Sequence, residues 1–381
     1  MKQVYLDNAA TTRYKPKTVV KEMTEFMKNL NCSPGRGGYQ CAMEAGRKIM
    51  NTRFLITDFF NAGEPENVIF TKNVTESLNF LIKGLLTEND HVITTTLEHN
   101  AVLRPLNQLE ENNTIEVSYI KADQNGLLDS KLIEEEIKEN TKLILINHAS
   151  NVTGTILPIQ EIGEIAKKHG LFYAIDTAQT AGIIEIDFEK LNLDFLGFTG
   201  HKGLLGPQGI GGMILSDKLA KKMESLITGG TGSVSESIKQ PDFLPDKFES
   251  GTLNTPGIIG LKAGIEYINS VGIKAIHNHE TRLLNMFLKG IKNIEKVNVL
   301  GSLDVNKKVP TVPVTVTGYD LGDLGFKLAE EYGIMLRSGL HCAPLAHKTI
   351  GTFPEGTLRF SIGWHTTGED IEYTLETLTK K

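Results

Sequence analysis

From residue 44 to residue 215, short apolar runs alternate with stretches whose apolar positions recur at helical spacing. The pattern predicts a helix to about 61, a strand at Val68–Thr71, a helix at Thr75–Leu86, a strand at Val92–Thr96 and a helix at about 100–112. It continues with a strand at Ile115–Ile120, a helix at 130–139 and a strand at Leu143–Asn147, after which Pro158 opens a helix at its preferred first position. Leu171–Asp176, Phe195–Phe198 and Ile210–Leu215 complete the series as strands. Alternation at this spacing implies an α/β fold with a mostly parallel sheet covered by helices on both faces. Ahead of it, residues 1–15 read as an arm, followed by an amphipathic helix at about 17–30 in which Val20, Met23, Phe26, Met27 and Leu30 share a face. Behind it, glycine- and serine-rich residues 228–240 and the stretch 243–257 break the alternation. Helices then follow at about 256–270, 273–293, 322–332 and 368–379, with strands near Val297–Leu300, Thr311–Val316, Ile334–Arg337 and Leu358–Ile362. The expected organisation is an N-terminal arm (1–15), a large domain (16–255) and a smaller α+β C-terminal domain (256–381).

Composition narrows the function classes. The 381 residues are 40% hydrophobic and carry a formal charge of −6 with no basic block, so nothing marks a nucleic-acid surface. No apolar run is long enough to span a bilayer and MKQVYLDNAATT holds no signal-peptide core, so a cytoplasmic protein with no membrane role is expected. Three cysteines, Cys32, Cys41 and Cys342, argue against a disulfide framework. Without C-x-x-C or H-E-x-x-H, no metal site is argued for, and the usual glycine-rich nucleotide loops are missing too.

The chemistry gathers at strand ends. In DFLGFTGHKGLLGP (194–207), Lys202 leaves an apolar strand among Gly200, Gly203 and Gly206, residues that permit φ > 0 and close backbone approach. Asp176 ends the strand before it, and carboxyl ends of parallel strands are where α/β proteins bind ligands. A lysine able to form a Schiff base and a carboxylate to keep a ring nitrogen protonated are two parts of a pyridoxal 5'-phosphate site. In TKNVTES (71–77) a strand turns into a helix with Thr75 near the cap, an arrangement suited to a phosphate. His99 in LEHN also follows a strand. Arg36, in the loop NCSPGRGGY, reads as a solvated charge in preference to an anion contact. In RSGLHCAP (337–344), Cys342 sits on a loop beside His341, a candidate proton acceptor, and could act as a nucleophile.

From LDNAATT through LEHN, HASNVTG, YAIDTAQ, FTGHKGLLGPQGIGG, ESGTLNTP, RSGLHCAP and GTLRFSIGWHTT, the chain resembles the pyridoxal-phosphate-dependent cysteine desulfurases and selenocysteine lyases. These belong to the class V aminotransferase group of fold type I enzymes. The resemblance implies that Lys202 binds the cofactor aldehyde, Asp176 pairs with the ring nitrogen, His99 stacks on the ring and Gln179 meets its phenolic oxygen. Val74, Thr75, Thr199 and His201 would hold the phosphate, with Thr252 reaching it from the other subunit of a homodimer. Asn151 and Arg359 would hold the carboxylate of L-cysteine, or of L-selenocysteine, and Cys342 would take the sulfur as a persulfide. The short cysteine loop implies a dedicated sulfur-acceptor protein and a role in sulfur mobilisation, such as iron–sulfur cluster assembly. Asn73-Val74-Thr75 departs from the family's usual glycine-containing turn, and Asn tolerates the left-handed region that glycine would supply. LAHKTIG (345–351), with His347, has no assigned role. Selenocysteine lyase, class V aminotransferase and a non-catalytic scaffold in a sulfur-assembly complex stand as the alternatives to a cysteine desulfurase.

Overall fold

A strand buried on both faces reads as an unbroken apolar run, and the centre of Thr141–Asn147, Leu143 to Ile146, is one. Leu143 and Leu145 pack into one core while Ile144 and Ile146 pack into the other, as the two-residue period of a strand demands. The computed structural model describes residues 2–34 and 37–380, so Arg36 lies outside the described residues. In chain order the elements are β1 (Val4–Tyr5), α1 (Lys17–Glu25), α2 (Gln40–Phe60), β2 (Val68–Thr71), α3 (Val74–Leu85), β3 (Asp90–Thr95), α4 (Asn100–Glu111) and β4 (Ile115–Ile120). There follow α5 (Lys131–Glu135), β5 (Thr141–Asn147), α6 (Ile159–His169), β6 (Phe172–Asp176), β7 (Phe195–Thr199), β8 (Gly211–Leu215) and α7 (Asp217–Ala220). The remainder comprises α8 (Thr255–Val271), α9 (Ile273–Ile291), β9 (Val297–Val299), β10 (Thr311–Val316), α10 (Leu321–Tyr332), β11 (Ile334–Met335), β12 (Arg337–Gly339), α11 (Pro344–Thr349), β13 (Thr357–Ser361) and α12 (Gly368–Thr379).

Seven strands form the main sheet in the order β2-β8-β7-β6-β5-β3-β4. Only β8 runs against its neighbours, β7 and β2. Two reversals restore direction, so β2 points the same way as β7 and delivers the start of α3 to the edge where β5, β6 and β7 end. Helices α3 and α4 cover one face, and α2, α6 and α8 cover the other. A four-stranded antiparallel sheet, β12-β13-β10-β9, packs on α9 and α12 around Leu283, Phe287, Val312, Phe360 and Ile371.

Several elements differ from expectation for local reasons. Strand Ile334–Arg337 is two strands: β11 pairs in parallel with β1 of the arm, then the chain crosses so that β12 pairs with β13. The arm and the C-terminal part of the chain thus share a separate two-stranded sheet, β1-β11. Helix 130–139 stops at Glu135, because a turn at 138–141 closes with Thr141 N–H on the Lys138 carbonyl and Lys138 N–H on the Thr141 hydroxyl. Pro158 precedes α6 instead of starting it, and the expected helix at 17–30 ends in a wider π-type turn over Phe26–Leu30. Helix α11, within the unassigned LAHKTIG stretch, was not anticipated. Composition argued against a disulfide framework, yet one disulfide joins Cys32 to Cys41, with Cα atoms 5.9 Å apart. Cys41 lies in the first turn of α2, nine residues from Cys32 in sequence.

The stretch 243–257 is anchored by a buried ion pair. Arg53 Nη2 lies 2.5 Å from Glu249 Oε2, while Glu249 Oε1 accepts the Phe70 N–H at 2.6 Å. Each charge thus has a partner, without which burial would be strongly unfavourable. Among the described residues no helix is long and apolar enough to cross a membrane.

Candidate active site

The ends of β5, β6 and β7 are in register, with Asn147 opposite Asp176 and Asp176 opposite Gly197. A cavity of ≈ 250 Å³ opens over them. It is lined by Val74, Thr75, His99, Asn151, Asp176, Gln179, Thr199, His201, Lys202 and Arg359, all expected at the site. Thr252 is elsewhere, in a separate cavity of ≈ 480 Å³ beside Arg53 and Gly230. Cys342 is exposed at the rim, next to His341, which does line the site.

Lys202 follows β7 on a turn held by close approach. A Cβ on Gly203 would sit 2.4 Å from the Ala181 carbonyl, and one on Gly182, at φ +85°, would sit 2.3 Å from the Gly203 carbonyl. None of Gly200, Gly203 or Gly206 takes a positive φ; the left-handed residue of this turn is Leu205, at +58°. The glycines therefore serve proximity alone, correcting half of their expected role. From the arm, Thr12 Oγ1 donates to the His201 and Lys202 carbonyls, and Lys15 Nζ reaches Thr12 Oγ1 and the His201 carbonyl, each at 2.7 Å. Sequence reasoning missed this brace, since Lys15 looks like any surface lysine. Burial lowers the Lys202 ammonium to about 8; Asp176 opposes the fall, and Arg359 and Arg337 add to it. At pH 7 about a tenth is then free amine, far more than for an exposed lysine, and nucleophilic attack on an aldehyde requires that form.

Asp176 is 5% exposed, and burial pushes its carboxyl up, opposed by the Ala178 N–H at 2.8 Å on Oδ1 and by Lys202. A proton-bearing ring nitrogen would stabilise its charged form. His99 is the N-cap of α4, its Nδ1 accepting the Ala101 N–H at 3.0 Å, so its proton sits on Nε2 when neutral. Burial first, then Lys202, Arg337, Arg359 and Arg104, lower it to about 4. Glu98, also missed, lies wholly inside. Its Oε1 takes the Thr95 hydroxyl at 2.6 Å and the Asn147 N–H at 3.1 Å, and burial raises its carboxyl to about 8.

At the other end of the cavity the cap of α3 is Asn73, not Thr75: Asn73 Oδ1 accepts the Glu76 N–H at 3.0 Å. Its φ of −174° is extended, so no left-handed tolerance is needed where the family has glycine. Instead Gly211 allows the fit, because a Cβ there would meet Asn73 Cα at 2.8 Å. The Val74 and Thr75 amides then fall in the first turn, where helix N–H groups have no intrahelical partner. Thr199 Oγ1 is buried with no partner, His201 Nδ1 lies 3.0 Å from Thr11 Oγ1, and Gln179 Nε2 donates to the Ala9 carbonyl at 3.1 Å.

Arg359 is 2% exposed. Its Nη2 pairs with Asp7 Oδ1 at 2.8 Å, Nη1 donates to the Asn151 carbonyl at 3.0 Å, and Nε has no partner. Asn151 Nδ2 donates to the His341 carbonyl at 2.7 Å, leaving its buried Oδ1 unpartnered. Arg337, opposite Arg359 in the β12–β13 register, adds a second guanidinium to the cavity. Reading Ile334–Arg337 as one strand hid it. His341, expected as an acceptor for the Cys342 proton, has both ring nitrogens engaged, Nε2 with the Arg337 carbonyl and Nδ1 with His347. Burial and Arg359 hold it at about 2, so it is not that base.

These residues fit pyridoxal phosphate on their own geometry. A lysine and a carboxylate face one cavity, a helix N-terminus and an unpartnered threonine hydroxyl stand at one end, and an arginine with an unpartnered Nε at the other. Among the described residues no cluster suited to a metal occurs.

Comparisons with known proteins agree with this arrangement. The family model for aminotransferase class-V matches residues 4–374. A protein of Methanothermobacter thermautotrophicus named a probable cysteine desulfurase is 37% identical over 379 residues, covering 98% of this chain and 94% of its own. The apo structure of a cysteine desulfurase from Thermococcus onnurineus superposes with a TM-score of 0.93 at 34% identity, covering 99% of this chain and 94% of that one. An Escherichia coli cysteine desulfurase in its S-sulfonic acid form gives 0.88 at 26% identity, with 99% and 94% covered.

Proposed function

This chain belongs to the aminotransferase class-V family, and from that premise we propose that it is a pyridoxal-phosphate-dependent cysteine desulfurase. It takes the sulfur of L-cysteine onto Cys342 as a persulfide and releases L-alanine. The observation that carries the reading is one edge of one sheet that holds Lys202 and Asp176 facing a common cavity, with an exposed cysteine at its rim. An aminotransferase has no use for that thiol.

When bound, pyridoxal phosphate supplies an aldehyde and a protonated ring that draws electrons from the substrate α-carbon. Lys202 would bind it and, as an amine, would take the α-proton. Asp176 would keep the proton on the ring nitrogen. Val74, Thr75, Thr199 and His201 would hold the phosphate, Gln179 would meet the phenolic oxygen, and His99 would cover the ring. Arg359, seconded by Arg337, orients the substrate carboxylate, and Asn151 joins that end of the cavity to the cysteine loop.

Thr252, remote from this cavity, completes the phosphate site of a second subunit in a homodimer. We read residues 16–255 as the cofactor-binding domain and 256–381 as the domain that carries the thiol. The enzyme works in the cytoplasm, passing sulfur to an acceptor protein. The test is to give the purified protein cysteine, selenocysteine, and an amino acid with a 2-keto acid, and to map the persulfide after one turnover with cysteine. Alanine with a label on Cys342 supports the desulfurase; a keto acid with no label removes it.

A further inference from the structure

The loop that carries Cys342 is held in an unfavourable backbone shape. His341 and Cys342 both lie in the left-handed region, at φ +48° and +57°, where a Cβ crowds the following carbonyl. Such a pair persists only where its surroundings over-determine it. Part of the restraint is backbone: Asn100 N–H donates to the Cys342 carbonyl at 2.7 Å and Asn151 Nδ2 to the His341 carbonyl, also at 2.7 Å.

The rest runs through side chains that no step of the reaction uses. His341 Nε2 faces the Arg337 carbonyl at 3.3 Å, and a carbonyl only accepts, so this nitrogen carries the proton. Its Nδ1 is then a bare acceptor, 3.4 Å from His347 Nε2, which must be the donor. His347 Nδ1 is left to accept, and the Thr352 hydroxyl lies 2.7 Å away. The Arg337 carbonyl sets one direction, Thr352 to His347, His347 to His341 and His341 to the Arg337 carbonyl, with the Leu340 carbonyl a second acceptor for the His347 N–H. The two imidazoles stack with an interplanar angle of 25° and are 4% and 0% exposed. Burial keeps His341 near 2 and His347 near 4; Arg337 and Arg359 face the first, and Arg359 and the Leu340 carbonyl the second. Burial thus favours the neutral form of both rings.

We propose that His347 is a positioning residue for sulfur transfer, anchoring through His341 the strained loop that holds the Cys342 thiol at the mouth of the cavity. The inference rests on the desulfurase reading for its consequence, though the restraint itself does not. Without His347 the His341 ring loses its donor, the left-handed pair relaxes, and the thiol is more reachable from solvent and less often aimed at the substrate sulfur.

The experiment compares His347→Leu, His347→Gln and Thr352→Val holoenzymes. Iodoacetamide alkylation of Cys342, located by peptide mapping, reads the loop; single-turnover persulfide formation with cysteine reads the aim. His347→Leu should be alkylated several-fold faster yet form persulfide about tenfold more slowly, the order expected for a misplaced reacting group, with KM for cysteine and the cofactor absorbance unchanged. His347→Gln keeps an amide donor near the Nε2 position and should recover most of both rates. Thr352→Val, a milder change, should shift both in the directions of His347→Leu and stands in for it should that variant not fold. Unaltered rates, rates that fall together, or a glutamine variant as impaired as the leucine variant would overturn the proposal. A keto acid and no persulfide in the wild type would overturn the desulfurase reading instead, while alkylation would still decide whether His347 holds the loop.

Discussion

Lys202 lines the cavity and Cys342 is exposed next to His341, which lines it too, yet the two are held by different means. The lysine side stands on strands β5 to β7, whose residues are almost all buried, so apolar packing on both faces sets its position. The cysteine side reaches the core through Ala343, Ala346 and Ile350, but the loop itself is placed by hydrogen bonds around two left-handed residues, with the thiol exposed. The difference follows from the two tasks. A group that forms and breaks a bond to a fixed cofactor gains from rigidity, whereas a sulfur carrier must meet the substrate inside and an acceptor outside.

Breaking each side should give distinct phenotypes. Lys202→Ala is the largest change: it should abolish covalent cofactor binding and turnover together, because no neighbouring side chain supplies both the imine nitrogen and the α-proton base. Visible absorbance and alanine release report it, and turnover near the wild-type rate would remove Lys202 from the mechanism. Cys342→Ser breaks only the other side. Bound cofactor and its spectral response to cysteine should persist, while persulfide disappears and alanine falls by roughly two orders of magnitude or more, as when a covalent nucleophile is lost. Undiminished alanine would put the aminotransferase reading ahead.

Arg359→Ala tests the boundary between the two sides. Losing a charge-assisted fork to the substrate carboxylate should raise KM for cysteine by about tenfold or more, with less effect on cofactor retention. The pair with Asp7 adds a second expectation. The variant leaves that carboxylate without its partner, so thermal stability should also fall, moderately because Asp7 stays in contact with water. Asp7→Asn separates the two effects: stability should fall with little change in KM. A KM effect as large as that of Arg359→Ala would make Asp7, through its grip on the guanidinium, the controlling residue.

The same contrast explains what could be read from the chain. The strands of the main sheet were legible almost to their ends, since LILIN at 143–147 or FYAID at 172–176 is apolar whatever surrounds it. Residues delivered by those strands, Asp176, Thr199 and Lys202, were legible with them. What stayed hidden depends on partners distant in sequence. Asp7 and Arg359 are 352 residues apart, Lys15 and His201 186, and neither pairing leaves a periodic trace. The cysteine loop was misread for a related reason. Proximity in sequence made His341 look like a base, whereas its nitrogens turn away to Arg337 and His347.

The smallest expected effect concerns pH, and it sharpens the contrast. His341 and His347 are held at about 2 and 4, below their unfolded value near 6.5, so opening the loop takes up protons as pH falls. The loop is therefore fully stabilised above pH 6.5 and loosens as pH drops toward 4. On the lysine side His99 and His201, both near 4, give the same acid limb. That side also contains Glu98, raised to about 8 with Asp176 beside it. A carboxyl raised in the folded state favours opening as pH climbs, from its unfolded value near 4.5 up to its folded value near 8. Hydrogen exchange of residues 95–101 and of 338–347, corrected for intrinsic rates between pH 5 and 8.5, should show an acid limb in both segments and an alkaline limb in the first alone. Glu98→Gln should flatten that alkaline limb and leave the cysteine loop as it was. An alkaline limb in 338–347, or one that survives intact in Glu98→Gln, would mean that the two sides open together and are not separately held.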